Sequence, residues 1–349
     1  MIVTPQQLST AIFIGIDAHP DSHTAIAMNR FKEVQGHVSF PNTLPGISRF
    51  MQWLKEVERQ REQTIIGIEG GSTARTALVR ALLATYELLF EVNPLYTKHK
   101  RSFGTRGDKT DRADAKLIAG VLTTELEELP RITPGQLTSS MLCLKKTVWF
   151  YDEITTQGVR LQNQLHKLVR ESNLTKDATE KQVLTAIIKI RKKELAFAQK
   201  TKRKTERDLT ALFTHCNGFN LTGVRGIGIV TAARLAAHAN GIERFRNRNA
   251  YVRYAGIAPT ERSSGQAKRF VNTTRGNCKL NSVLYYAVLC RIVHCPEIKK
   301  RYKEKIASGK TKQEAILYLM RKTAILVYSL LRSGEAYKPD KTKEKAEQQ

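Results

Sequence analysis

Two short apolar runs, each closed by a single carboxylate, constrain this chain more than any other feature. Ala11-Ile12-Phe13-Ile14-Gly15-Ile16-Asp17 and Thr64-Ile65-Ile66-Gly67-Ile68-Glu69 share that form. Rows this short, rich in isoleucine, read as buried strands rather than helices. Thr24–Met28 and His37–Phe40 read as two further strands that complete an antiparallel meander with the first. Pro45–Arg59 is helical, with Ile47, Phe50, Leu54 and Val57 on one stripe. Ser72 caps a helix carrying Leu78, Leu82 and Leu83, and Leu88–Val92 is a fifth strand closed by Asn93-Pro94. A third acidic position follows in Lys109-Thr110-Asp111-Arg112-Ala113-Asp114-Ala115-Lys116, read as a helix start. There Asp111 and Asp114 are three apart on one face, close enough to share a cation. Acids so close repel each other unless a metal or a proton lies between them. The plainer reading is an acidic first turn favoured by the helix dipole, with Lys109, Arg112 and Lys116 as solvated partners.

The order of three strands, helix, strand, helix, strand and helix is the ribonuclease H-like topology. In it the first and fourth strands lie side by side at the sheet centre. Asp17 and Glu69 then leave adjacent strand ends, and the Asp111/Asp114 helix packs across them. Four converging carboxylates are what a pair of magnesium ions needs for in-line phosphoryl chemistry. His19 and His23 read as loop and strand surface residues rather than ligands.

The 349 residues are enough for two or three domains. A formal net charge of +26 calls for a polyanionic partner, and nucleic acid is the commonest. No apolar run approaches the roughly 18 residues of a membrane span, and Met1–Thr10 lacks the basic-then-apolar form of a signal peptide. The chain reads as soluble and cytoplasmic, associated with the nucleoid, with no membrane partner. Cys143, Cys216, Cys278, Cys290 and Cys295 show neither zinc-site spacing nor a disulfide framework and read as free thiols.

Composition shifts after Pro130 and Pro134, giving a domain over 1–130 and a helical, coiled-coil region over 131–216. Leu137–Asn173 and Asp177–Cys216 read as two long helices, either an antiparallel pair or an intermolecular coiled coil. A third, mainly α domain spans 217–337, and 338–349 reads as a disordered polar tail. Leu221–Leu235 has the form of a helix-hairpin-helix, in which Gly226 and Gly228 permit a tight, phosphate-binding turn. Arg262, Lys268, Arg269, Arg275 and Lys279 surround a Gly-adjacent serine loop, Ser263-Ser264-Gly265, and are candidate nucleic-acid contacts. Gln313–Arg332 reads as a strongly amphipathic helix.

Together these pieces resemble the DEDD transposases of the insertion sequence 110 type, which include the pilin-segment invertases. The resemblance rests on Gly15-Ile16-Asp17, Ile68-Glu69, Val92-Asn93-Pro94 and Lys109–Ala115 in the first half. In the second it rests on Gly226-Ile227-Gly228, Tyr254–Pro259, Ser264-Gly265, Arg275-Gly276-Asn277, Met320-Arg321-Lys322 and Arg332-Ser333-Gly334. It runs from about Ile12 to Tyr337. The resemblance implies a RuvC-like domain holding Mg2+, as two ions, through Asp17, Glu69, Asp111 and Asp114. It also implies a transposase domain whose serine attacks DNA and forms a phosphoserine intermediate. Counted from Pro259, that serine is Ser264, with Ser263 its close competitor. The implied partners are donor and target double-stranded DNA, a structured guide (bridge) RNA, and further copies of the chain, from dimer to tetramer. An invertase role, a RuvC-like nuclease that works without the serine, and a non-catalytic scaffold remain the alternatives. Pro20 stands where many relatives carry lysine, Asn281 and Ser282 occupy positions often basic in the family, and Asp108 adds an acid beside the helix.

Overall fold

The computed structural model describes residues 4–58, 63–69, 75–94, 97, 110–214, 216–264, 267–272 and 276–338. Ser72, Asp108, Lys109, Gly265, Arg275 and the tail from 339 lie outside them. The chain forms two compact units. One is Met1–Thr138 with Glu243–Tyr254, and the other is Ser139–Ile242 with Ala255–Gln349.

In the first unit a short helix α1 (Pro5–Thr10) leads into β1 (Ile12–Ala18), β2 (Ser22–Met28) and β3 (Val34–Pro41). α2 (Leu44–Glu58), β4 (Thr64–Glu69), α3 (Thr76–Leu83), β5 (Leu89–Val92) and α4 (Asp111–Glu125) follow. The sheet order is β3-β2-β1-β4-β5, with β1 antiparallel to β2 and parallel to β4. The first and fourth strands are therefore central neighbours, as the sequence pattern requires. Alternation along each strand sorts residues between the two faces. Ile12, Ile14, Ile16, Ile66 and Ile68 join Phe50, Leu54, Leu78 and Leu82 in a core beneath α2 and α3. Phe13 and Ile65 meet Ile118, Val121 and Leu122 of α4 on the opposite face. A strand covered on both faces must be apolar throughout, which explains the unbroken rows.

Gly15 and Gly67 are paired in the β1–β4 register, and both lie on the α4 face. A Cβ on Gly15 would come within 2.2 Å of the Ala115 carbonyl oxygen, and one on Gly67 within 2.9 Å of Leu122 Cδ2. The two glycines, with Ala115 and Ala119 opposite them, let α4 lie directly on the sheet. That seat fixes where the first turn of α4 begins. His23, expected at the surface, is fully buried, edge-on to Phe40. β2 starts two residues earlier than the pattern suggests and carries His23 inward, opposite Ala18. Burial holds its pKa below the usual imidazole value.

In the second unit α5 (Ser139–Leu174) and α6 (Ala178–Phe213) are 36 residues each. The Tyr151 hydroxyl donates to Glu206 Oε1 at 3.1 Å, and Lys202 Nζ lies 5.5 Å from the Tyr151 ring centre. Residues at similar distances on either side of the connection thus meet, so the helices close as an antiparallel pair within one chain. α7 (Ile229–Ala239), a hairpin of β6 (Pro259–Ser264) and β7 (Ala267–Asn272), α8 (Cys278–His294), α9 (Pro296–Ala307) and α10 (Lys312–Ser333) complete the unit. Gly276 packs so closely on Gly256 that a Cβ would lie 2.2 Å from its backbone nitrogen. All five cysteines are free, and no helix among the described residues is long and apolar enough to cross a membrane.

Candidate active site

Alternation places Phe13, Gly15 and Asp17 of β1, and Ile65, Gly67 and Glu69 of β4, on the face covered by α4. The two acids emerge at the C-terminal ends of parallel neighbours, where α4 starts. Thr110 caps that helix, accepting from Ala113 N at 3.1 Å, and sets Asp111 and Asp114 in the first turn. The Asp17 side chain is only 4% exposed, and its Oδ2 accepts no hydrogen bond from any described residue. Burial first, then the negative charges of Glu69, Asp114 and Asp111, push its pKa up to about 6 against the opposing pull of His19. All four expected acids thus belong to one electrostatic neighbourhood.

They do not stand equally within it. The donor atoms of Asp17, His19 and Asp111 lie within 4.8 Å of one another, a grouping that could hold a metal ion. Asp114, buried at the next turn position, and half-buried Glu69 lie outside that tight trio. Glu69 is held from two sides. Thr97 Oγ1 donates to its Oε1 at 3.1 Å, and Arg75 Nη1 donates to its carbonyl at 3.0 Å. Arg75 is itself fixed by Glu91 Oε2 at 3.0 Å, and the same oxygen lies 3.2 Å from fully buried Arg244. Arg244 also lies beneath the rings of Phe245 and Tyr254. The segment Glu243–Tyr254, which the sequence reading keeps in the C-terminal domain, therefore supplies a buried cation to the acid-bearing unit.

The donor set suits a divalent cation. A buried carboxylate oxygen without a hydrogen-bond partner, ringed by further acids, is costly unless a positive charge joins it. Outside this site, the remaining candidates belong to the second unit. Gly226 has φ +86°, and a Cβ there would lie 2.8 Å from the Arg291 α-carbon, so only glycine fits the turn. Gly228 is the N-cap of α7 and offers no side-chain cap. The first arm of the expected helix-hairpin-helix is a five-residue 3-10 helix, Phe219–Gly223, not a full α-helix. An open cleft of about 460 Å³ faces this turn, with Arg225, Thr231, Tyr286 and His294 among its walls. Ser264 is the last residue of β6, paired with Ala267, so it ends a strand rather than lying in an irregular loop. Arg262 pairs with Arg269 and Ser263 with Lys268 along the same hairpin. Lys279 is exposed in the first turn of α8. Asn281 donates to the Ala255 carbonyl at 2.9 Å and so has a structural role.

Two family profiles match the chain in turn. One, described as a DEDD transposase of the IS110 type, covers residues 14–173, and the other, described as the transposase IS116/IS110/IS902 family, covers 219–303. The chain belongs to this transposase family. It is a DNA transposase/recombinase by that membership. Among its relatives is the pilin gene-inverting protein of Moraxella bovis, 24% identical over 93% of this chain and 97% of that protein. The IS116 44.8 kDa protein of Streptomyces clavuligerus is 20% identical over 94% and 96%. The IS110 43.6 kDa protein of Streptomyces coelicolor is 29% identical over 41% and 36%. The first profile spans all four acids, and the second spans the Gly226–Gly228 turn and Ser264. His19, Arg75, Thr97 and Arg244 are the site residues that the sequence reading missed or set aside. Only His19 gave a local signal, through its position two residues after the first acid.

Proposed function

We propose that the chain cuts and rejoins DNA, with the sheet unit as a RuvC-like, ribonuclease H-like metal centre and Ser264 as the nucleophile. The observation that carries this reading is the convergence of Asp17, Glu69, Asp111 and Asp114 where α4 crosses the ends of β1 and β4. These acids would hold Mg2+, as two ions, and bound metal there would supply charge neutralisation at a scissile phosphate. Thr97 and Arg75 orient Glu69, and the shielded Asp17 gives the site one oxygen that water does not screen.

In the cleavage step the Ser264 oxygen forms a bond to phosphorus as a bond from that phosphorus to a deoxyribose oxygen breaks. The hydroxyl proton passes to a base, and the leaving oxygen takes up a proton. The reverse step, with another strand's hydroxyl, rejoins DNA and frees the serine. The energy of the phosphodiester is kept in the phosphoserine, so no external energy source is needed.

The basic hairpin positions, the Gly226–Gly228 turn read as a helix-hairpin-helix, and Lys279 would follow the phosphate backbone of donor and target DNA. The net charge of +26 leaves capacity for a structured guide RNA as well. The acids and Ser264 belong to different units, so a site shared between copies, brought together through the long helices, is the expected assembly. The acting compartment is then the cytoplasm, at the nucleoid. The full-length relative that inverts a pilin gene makes DNA inversion the second reading of the same chemistry. The test is denaturing electrophoresis of protein incubated with labelled DNA and Mg2+. Wild type and Ser263→Ala should leave a covalent adduct and Ser264→Ala none. An adduct from Ser264→Ala would overturn the nucleophile assignment.

A further inference from the structure

The loop after β1 carries a side chain that the four-acid pattern does not include. His19 Nε2 lies 3.5 Å from Asp17 Oδ2 and 3.8 Å from Asp111 Oδ1. These separations are too long for hydrogen bonds, and Asp17 Oδ2 makes none with any described residue. They are the separations of ligands around an ion. Donor atoms each about 2.1 Å from one metal stand roughly 3.0 to 4.2 Å apart, according to whether they are adjacent or opposite.

The loop is also held in place. His19 N donates to the Ser22 carbonyl at 3.0 Å. Asn42 Nδ2 donates to the Pro20 carbonyl at 2.9 Å, and Asn42 N donates to Asp21 O at 2.9 Å. Pro20 restricts the backbone beside the histidine. Asp17 supplies a buried oxygen, whereas His19 and Asp111 are half or more exposed, so an ion there would meet protein on one side and substrate or water on the other.

Resting on the metal-site reading above, we infer that His19 is a nitrogen ligand of this centre and tunes it toward Mn2+ and related transition metals over Mg2+. Imidazole suits the first-row transition ions, whereas Mg2+ takes oxygen donors almost alone. The centre would therefore hold an O,N,O set at its open edge, with Glu69 and Asp114 completing the acidic side.

The experiment is pulsed electron paramagnetic resonance of Mn2+ bound to the full-length protein, with Mn2+ and Mg2+ affinities measured by titration. Wild type should show a directly coordinated 14N coupling. His19→Gln and His19→Asn should lose that coupling, and their Mn2+ affinity should fall roughly tenfold more than their Mg2+ affinity. Asp17→Asn should abolish binding of both ions. A nitrogen-free spectrum in wild type with binding that still needs Asp17, or a coupling that persists in both His19 variants, overturns the histidine ligand and leaves the carboxylate centre standing. Mn2+ binding unaffected by Asp17→Asn overturns both.

Discussion

Two of the buried aspartates, Asp17 of the first unit and Asp152 of the second, live under opposite rules. Asp152 of α5 is shielded almost as well as Asp17, but Arg234 Nε lies 2.7 Å from its Oδ1 and His238 Nε2 lies 3.1 Å from its Oδ2. Burial works to raise its pKa, and the His238 hydrogen bond and Arg234 charge outweigh that, so the net shift is downward. Asp17 has burial and three more acids against it and, among the described residues, a half-exposed histidine for it. One aspartate is satisfied by its own chain and ties the long helices to α7. The other has an oxygen with no hydrogen-bond partner among the described residues. Stability built in at Asp152 and instability kept at Asp17 are what a scaffold position and a proposed reaction centre would respectively show.

The largest effect should come from Asp114, the buried one of the two acids outside the tight trio. Asp114→Ala is expected to lower strand exchange by about 10³-fold or more while circular dichroism and DNA retention stay near wild type. Near-normal exchange would remove Asp114 from the centre and reduce the four-acid account to three. Next in size, Asp152→Ala should destabilise the protein by about 3 kcal/mol in denaturant unfolding, because Arg234 and His238 lose their buried counter-charge. If it cost nothing, the contrast between the two aspartates would fail from the structural side.

Much of the first unit was legible because its constraints are local. Rows of isoleucine ending in an acid specify strands buried on both faces, and the strand order leaves Asp17 and Glu69 few other places to go. The long helices announce themselves through three-four spacing over 36 residues each. What stayed hidden depends on contacts across the chain. Arg244 lies in a basic stretch with Arg246 and Arg248, and no neighbour marks it as the one that is fully buried beside Glu91. Thr97 and Arg75 matter through single hydrogen bonds to Glu69, which no periodicity encodes. The start of β2, two residues before the one the pattern suggests, turns His23 inward, whereas His19 is the exposed loop residue that the sequence suggests. Ser264 was placed by resemblance alone, and the strand that ends on it carried no clear alternation.

The smallest expected effect is a gain. A carboxylate whose folded pKa lies near 6, above its ordinary 3.8, favours its protonated form in the fold, so its ionisation costs stability as pH rises across that interval. Asp17→Asn should therefore make the metal-free protein more stable at pH 7 by roughly 1–2 kcal/mol, after allowance for solvent screening at the open side. The gain should vanish below about pH 4. Asp152 has the opposite sign, since its stabilisation is present above 3.8 and is lost as pH falls through its lower folded value.

The same Asp17→Asn variant tests the central claim most directly when metal is added. Trp53 packs against the core of the sheet unit, and Trp149 belongs to the other unit, so Trp149→Phe leaves a fluorescence reporter of the acid-bearing unit alone. Thermal unfolding followed by Trp53 should shift upward with Mg2+ or Mn2+ when Asp17 is intact. With Asp17→Asn the shift should disappear although the metal-free protein unfolds at a higher temperature. An equal metal-induced shift in both proteins would contradict the assignment of this sheet end as the metal centre.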